Sequence, residues 1–199
     1  MAIAALLVAI GSLIATAIGL TFARKAAGAA DIANRIEIDR RHAELRPRYE
    51  VTFLPKDGTQ QTLKVKLLGP GELENVDEVK VTVLDESVFR LKRPGAADEV
   101  IARFRFVPGT GPGVGTRGGS GADAAGRVTT SEGMPVGEAH LYALELSPCP
   151  SGHTRDTWRE QVGTTLRVRI DTRKDGLAPW VAVGEVGTTD EEPRSTKLD

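Results

Sequence analysis

A glycine-rich run at residues 113–118 is the segment of this sequence that most resembles a catalytic fingerprint. It reads "GVGTRG" and fits G-x-G-x-x-G, in which glycines let the backbone approach the pyrophosphate of a dinucleotide. Such a site also needs a helix that begins at the third glycine, within a βαβ unit. The residues that follow are "GSGADAAGRVTT", in which glycine recurs too often for a helix. The sequence therefore predicts no dinucleotide site and no bound cofactor.

Cysteine, serine and histidine lie close together at residues 149–153, a combination that could bind a metal or form a nucleophile. Cys149 and His153 are four residues apart in "CPSGH", but a structural zinc takes four ligands and no second pair lies nearby. Ser151, His153 and Asp156 are the residue types of a hydrolase triad. Nothing around them supplies the strained turn or the oxyanion donors that such a nucleophile needs. We therefore expect no metal site, no catalytic residue and no enzymatic activity.

Residues 107–136 form a long connection rich in glycine and proline. Its first 21 residues, 107–127, hold eight glycines and two prolines, a composition typical of flexible segments. Unstructured connections of this length are uncommon inside a domain and are either disordered or functional. The sequence favours disorder, and docking of a partner is the alternative. A hydrolase or nucleotide-binding enzyme that uses this loop is the least favoured hypothesis.

The overall composition argues against several function classes. The 199 residues include 26 Lys and Arg against 27 Asp and Glu, so no basic excess favours binding to nucleic acid. Aromatic residues make up 5% of the chain, too few for platforms on which bases or sugars stack. Cys149 is the single cysteine, which excludes a disulfide within the chain. We therefore expect no nucleic-acid partner.

The N-terminal residues have the composition of a membrane span. Residues 2–22, "AIAALLVAIGSLIATAIGLTF", contain neither charge nor proline, and as a helix they cover about 30 Å, the thickness of a bilayer's hydrocarbon core. A cleaved signal peptide is the alternative, but it places basic residues before its apolar stretch, whereas Arg24 and Lys25 follow this one. We predict one transmembrane helix over residues 1–23 in the lipid bilayer of the cell membrane. Arg24 and Lys25 predict that the rest of the chain is cytoplasmic, because basic residues favour that side.

Small residues recur at four-residue spacing along the predicted span. Gly11, Ala15 and Gly19 lie on one helix face, a pattern that lets two transmembrane helices approach closely. A homodimer through this face is one hypothesis, although alanine-rich spans also produce the pattern by chance. Residues 24–46 carry opposite charges four residues apart and predict a juxtamembrane helix that Pro47 ends.

From residue 48 the hydrophobic period changes from 3.6 to 2, as expected for strands with one buried face. The predicted strands are residues 49–53, 62–68, 78–84, 88–93, 102–107, 139–146, 165–170 and 180–186. Asp57-Gly58 and Asp175-Gly176 predict tight turns between neighbouring strands. So many short strands over residues 47–187 predict an all-β antiparallel sandwich, for which an immunoglobulin-like arrangement is one option.

Two other segments complete the predicted layout. Residues 154–163 predict one short helix, with Gly163 as its terminator and Trp158 pointing into the sandwich. Residues 188–199 are polar without periodicity and predict a disordered tail.

Four stretches of this sequence carry a family resemblance. They are the apolar start that ends in "FARKAAGAADIANR", the link "RHAELRPRYEVTF", the "FVPGTGPG" loop, and "TWREQVGTTLRVRI" followed by "WVAVGEV". With them the chain resembles uncharacterised single-pass membrane proteins of high-GC Gram-positive (actinobacterial) bacteria, a resemblance that implies the layout and no activity. We expect a membrane-anchored β-sandwich that binds or scaffolds an unknown protein partner. A structural, self-associating membrane protein is the alternative.

Overall fold

A computed structural model describes most of the chain. It describes the backbone of residues 2–54, 60–84, 102–113, 121–149, 154, 158, 164–188 and 194–198. Side chains are described over the same ranges except at residues 2–18, 21 and 194. The chain divides into two compact units, Met1–Glu44 and Leu45–Asp199.

The first unit is one helix, α1, over Ala2–Glu44. It contains the predicted span and the predicted juxtamembrane helix without a break, since alanine and other strong helix formers run through the join. Near its end Arg40 Nε lies 2.8 Å from Glu44 Oε1, an ion pair at the predicted spacing. Leu45 and Arg46 then connect the helix to Pro47, which disfavours helical angles in the residue before it.

Within the helical residues that the structure describes, no helix is long and apolar enough to cross a membrane. Most side chains of the predicted span, residues 1–23, lie outside the described set. The transmembrane assignment therefore stays a prediction.

The second unit is an antiparallel β-sandwich, as the alternating sequence predicted. Its described strands are β1 (Arg48–Leu54), β2 (Gln60–Gly69), β3 (Asn75–Val83), β4 (Phe104–Phe106), β5 (Val128–Pro135), β6 (Ala139–Leu146), β7 (Thr165–Arg173), β8 (Trp180–Gly187) and β9 (Arg194–Leu198). A short 3-10 helix, Gly71–Leu73, precedes β3. The larger sheet has the order β4-β6-β2-β1-β9, and the smaller sheet has the order β5-β3-β7-β8.

The core lies between the two sheets because one face of each strand is apolar. In β2 the side chains of Leu63, Val65 and Leu67 are fully buried, whereas the intervening Lys64 and Lys66 are half-buried on the outer face. The other central strands follow the same alternation. At about 1.5–3 kcal/mol for each large apolar side chain, this burial dominates the stability of the sandwich.

The prediction of an unstructured connection over residues 107–136 is wrong at its C-terminal end. Residues 128–135 form β5, which pairs with β3. Before β5, Gly109 N donates to Ala122 O at 2.9 Å, and Ala122 N donates to Thr110 O at 2.9 Å. These bonds join residues 109–110 to residue 122, which lie on either side of the undescribed residues 114–120. Residues 114–120, which include most of "GVGTRG", lie outside the described residues.

The prediction of a disordered tail is also wrong for residues 194–198. They form β9, which pairs with β1 at the edge of the larger sheet. Leu198 is only 5% exposed and joins the core, which explains why a short polar segment is ordered. Residues 189–193 and 199 lie outside the described residues.

The remaining predictions are described in part. Trp158 is helical, its N–H donates to Thr154 O at 2.9 Å, and its side chain is buried as expected. The rest of the predicted 154–163 helix lies outside the described residues, as do the predicted 88–93 strand and the Asp57-Gly58 turn. The second turn lies between β7 and β8 as expected, where Gly176 adopts a φ of +80°.

Candidate interaction edge

Among the described residues the two sheets present four edge strands, and three of them are poorly suited to pairing with another chain. β4 is three residues long. β9 exposes the hydroxyl of Ser195 and the ammonium of Lys197. β5 contains an exposed Glu132, a Gly133 with a φ of +61°, and Pro135, which has no N–H to donate. Short length, charge, proline and irregular backbone are the features that protect edge strands from aggregation.

The fourth edge strand, β8, has an apolar outer face. It is eight residues long and contains no proline. Val181 is 43% exposed and Val183 is 51% exposed. Both are β-branched residues, which favour strands. Only Glu185 carries a charge on this strand. An exposed, regular and apolar edge strand is a recognised template for strand pairing.

The hydrogen bonds on the two sides of β7 determine which backbone groups of β8 point outward. Residues of an antiparallel pair alternate between those that bond the partner strand and those that point away from it. Thr188 N donates to Thr164 O at 2.7 Å, and Leu84 N donates to Arg167 O at 2.9 Å. Because both registers continue without a shift, odd-numbered residues of β7 bond to β3 and even-numbered residues bond to β8.

The same alternation applies to β8. Its even-numbered residues bond to β7, so Val181, Val183 and Glu185 direct their N–H and C=O groups away from the sheet. Within the described residues β7 is the strand that pairs with β8, and the opposite side of β8 has no strand partner. We name the outward backbone groups of residues 181, 183 and 185, together with the side chains of Val181 and Val183, the β8 edge.

Charged side chains beside the β8 edge are paired with one another. Arg169 donates from Nε and Nη2 to Asp171 Oδ1 at 2.9 and 2.6 Å. Arg167 Nε lies 3.0 Å from Glu185 Oε1 across the β7–β8 pair. These pairs are partly exposed, so each contributes little to stability. Their consequence is that the surface next to the valines presents neutralised pairs rather than an excess of one sign.

The inner face of β8 fixes the strand on the core. Trp180, Ala182 and Val186 are all buried there. Gly184 lies directly against the side chain of Leu198 from β9, so that a Cβ at position 184 would overlap it. The β8 edge is therefore presented by a packed strand, as preorganised binding sites require.

Polar side chains inside the sandwich link its two sheets. The Tyr49 hydroxyl lies 2.7 Å from Thr172 Oγ1, and the Tyr142 hydroxyl lies 3.1 Å from Ser131 Oγ. Ser131 Oγ also donates to Val79 O at 3.3 Å. Burial raises the pKa of both tyrosines, that of Tyr142 to about 12, so both stay neutral at physiological pH. Each tyrosine hydroxyl is thus paired with a hydroxyl of the opposite sheet, and the two contacts help to hold the sheets together.

His140 is the buried titratable residue nearest to these tyrosine bonds. Its side chain is 1% exposed, and neither ring nitrogen has a hydrogen-bond partner among the described residues. The ring stands edge-on to Tyr142, with 6.4 Å between centroids. Burial lowers the pKa of His140, which therefore favours the neutral imidazole.

The predicted site residues fall into two groups. Gly19, Arg24 and Lys25 are exposed along α1, and a Cβ at Gly19 would meet nothing. The side chains at Gly11 and Ala15 lie outside the described set. In the 149–156 cluster Cys149 is half-buried, while Ser151, His153 and Asp156 lie outside the described residues. Among the residues that are described, no group of three or more His, Cys, Asp and Glu side chains could hold a metal ion.

Sequence reasoning missed the β8 edge, although a signal was present. In "WVAVGEV" residues 180–183 are all apolar, so apolar residues occupy both faces of this part of the strand. One face of these residues packs on the core, so the valines of the other face must lie outside. Comparison of the chain with protein-family models, curated proteins and solved structures found no match.

Proposed function

We propose that this protein is a membrane-anchored β-sandwich that binds or scaffolds other proteins on the cytoplasmic face of the cell membrane. The observation that supports the proposal best is the β8 edge. It combines outward backbone groups with the exposed valines Val181 and Val183, whereas the other edges are short, charged or irregular.

Strand addition is the binding mode that this edge favours. An extended segment laid beside β8 exchanges backbone hydrogen bonds with residues 181, 183 and 185, which supply affinity whatever the partner's sequence. Alternate side chains of that segment then lie against Val181 and Val183 and supply specificity. The neutralised pairs Arg169–Asp171 and Arg167–Glu185 favour an uncharged segment at the valines.

The membrane part of the proposal comes from the sequence. Residues 2–22 are long and apolar enough for a span, and Arg24 and Lys25 follow it on the proposed cytoplasmic side. The family resemblance to single-pass actinobacterial membrane proteins agrees with this layout. We propose an immunoglobulin-like arrangement for the sandwich as an architecture alone. Extraction of membranes with carbonate tests the anchor: the full chain should stay in the pellet, and its release into the supernatant would contradict the proposal.

The binding role is tested by proximity labelling from a ligase fused to the C-terminus of the full chain. We expect cytoplasmic and membrane-associated proteins to be labelled, and Val183→Lys to remove a subset of them, because a buried ammonium is costly beside a paired strand. Leu146→Lys is the matched control, since Leu146 is an exposed apolar residue at the end of β6 in the other sheet.

Two outcomes would count against this function. Identical labelling by Val183→Lys and wild type would remove the β8 edge from the binding role. Labelling of extracytoplasmic proteins alone would overturn the orientation that Arg24 and Lys25 predict.

A further inference from the structure

We propose that the β8 edge pairs with the β8 edge of a second copy of this chain, in antiparallel fashion about a two-fold axis. The inference rests on the proposed function and names one partner for the same site. Two-fold pairing of identical surfaces is the commonest route to closed homo-oligomers. It would join the two smaller sheets into one continuous sheet and remove two open edges at once.

The outward backbone groups restrict the registers that such a pair can adopt. Hydrogen bonds form only where an odd-numbered residue of one β8 faces an odd-numbered residue of the other. Symmetric registers that satisfy this condition centre on residue 181, 182, 183 or 184. They differ in which side chains face each other on the outer face of the sheet.

One register sets valine against valine twice. With the axis at Ala182, Val181 faces the partner's Val183, and Val183 faces the partner's Val181. Centring on Val181 or Val183 sets one valine against its own copy, and centring on Gly184 sets none. Directly opposed β-branched residues pack against each other and stabilise a sheet. The Ala182 register therefore covers the exposed valines best.

Charge selects the same register. Centring on Val183 or Gly184 places Glu185 opposite a valine of the other copy, which desolvates the carboxylate. Centring on Ala182 places Glu185 opposite the partner's Pro179, at the end of the paired region. The two Glu185 carboxylates are then separated by six residues along the strand, roughly 20 Å. This exceeds the screening length of about 8 Å at physiological ionic strength, so their repulsion is small.

The backbone groups of residues 181 and 183 exchange two hydrogen bonds in each of the two valine pairs. Registers centred on Val183 or Gly184 would form more backbone hydrogen bonds, so apolar contact and charge separation are what favour the axis at Ala182.

Self-association of the full chain in detergent micelles tests the pairing. We expect wild type to form dimers, and Val183→Lys to weaken the dimer at least tenfold, measured by analytical ultracentrifugation. Leu146→Lys should dimerise like wild type. At protein concentrations too low for dimers, the thermal unfolding of both lysine variants should match wild type, because both positions are exposed. A monomeric wild type, or a Val183→Lys variant that dimerises as tightly as wild type, would overturn the proposal.

Single cysteines test the register in a Cys149→Ser background. Val181→Cys and Val183→Cys chains, mixed and oxidised, should form the mixed disulfide dimer, because facing residues of a bonded antiparallel pair lie within disulfide range. Neither variant alone should cross-link efficiently. Efficient cross-linking of Val183→Cys with itself would overturn the Ala182 register.

Failure of this pairing can be told apart from failure of the proposed function. If the full chain is monomeric while Val183→Lys still removes labelled proteins in cells, the self-pairing is wrong and the binding role stands. A triple variant distinguishes dimers made by α1 from dimers made by β8. It carries Gly11→Ile, Ala15→Ile and Gly19→Ile, and the mixed cysteine cross-link between the β8 strands should still form in it.

Discussion

The two edge strands of the smaller sheet differ in how well they are protected against pairing with another strand: β5 is protected and β8 is not. Both strands are eight residues long and both bury one face on the same core. β5 carries a charge at Glu132, a left-handed Gly133 and Pro135, all of which discourage another strand. β8 carries Val181 and Val183 at the equivalent outer positions. This contrast between the opposite edges of one sheet is the observation on which the proposed binding role of β8 rests.

The largest expected effect separates the two sides of β8. Ala182 is an even-numbered residue whose N–H bonds to β7, whereas the N–H of Val183 points outward. Ala182→Pro removes a sheet hydrogen bond and should cost about 3 kcal/mol of unfolding free energy or more. Val183→Pro should cost clearly less, because it removes an outward N–H. Denaturant unfolding, followed by the fluorescence of the buried Trp158 and Trp180, measures both.

Equal destabilisation by the two prolines would contradict the assignment of outward groups. Val183→Pro should also abolish dimers, since it removes a backbone donor from the pairing surface. A stable Val183→Pro variant that still dimerises would mean that the partner uses a different face.

Tyrosine hydroxyls support the two ends of this sheet unequally. Tyr49 bonds to Thr172 on β7, beside β8, and Tyr142 bonds to Ser131 on β5. Tyr49→Phe takes from Thr172 its only described side-chain partner and should cost about 1–2 kcal/mol. Tyr142→Phe should cost about 1 kcal/mol or less, because Ser131 still donates to Val79 O. Denaturant unfolding of the two variants checks the order, and the reverse order would contradict this comparison.

Low pH is expected to reduce the stability of the core through the buried side chain of His140. Burial lowers the pKa of folded His140, while the unfolded residue titrates near 6.5. The unfolded chain therefore binds a proton that the folded chain resists, so stability is present above pH 6.5 and falls as the pH drops below it. The slope for one proton is at most about 1.4 kcal/mol per pH unit. Unfolding curves between pH 7 and pH 5.5 should show this loss.

His140→Leu is the matched variant for the pH experiment. It removes the titrating group from the core and should flatten the dependence over the same pH range. A slope that stays unchanged in His140→Leu would assign the acid sensitivity to other groups.

The smallest expected effect belongs to the protected edge. Glu132→Val makes β5 more apolar but leaves Gly133 and Pro135, which still interrupt the strand's outer edge. Its association in detergent, measured by analytical ultracentrifugation, should equal that of wild type. New oligomers in this variant would show that charge alone protects β5.

The regular part of the sandwich was predictable because most of its strands alternate apolar and polar residues. β1, β2, β3, β4, β6, β7 and β8 each overlap a predicted segment, although several extend beyond its bounds. β5 was missed because its inward residues Thr129 and Ser131 are hydroxyl-bearing, so its polarity resembled a loop. Ser131 is accommodated by the hydroxyl of Tyr142 on β6 in the opposite sheet, a contact between sheets that the pattern within one strand does not contain.

The β8 edge depends on topology in the same way. The sequence contains the apolar run at residues 180–183, but whether β8 lies at an edge or in the middle depends on the strand order. β9 was missed since five polar-rich residues carry little periodicity, and only the burial of Leu198 accounts for its order. Local pattern predicts strands, whereas pairing partners decide which surfaces remain free.

The pairing of β1 with β9 has a consequence for synthesis of the chain. β1 begins directly after the helix, yet the strand that flanks its outer side is made about 145 residues later. While the ribosome is still translating, β1 and β2 present an apolar hairpin edge to neighbouring nascent chains, the state in which intermediates aggregate. A stop codon just before residue 194 would make that exposure permanent. Loss of a few terminal residues is therefore expected to impair solubility more than their number suggests.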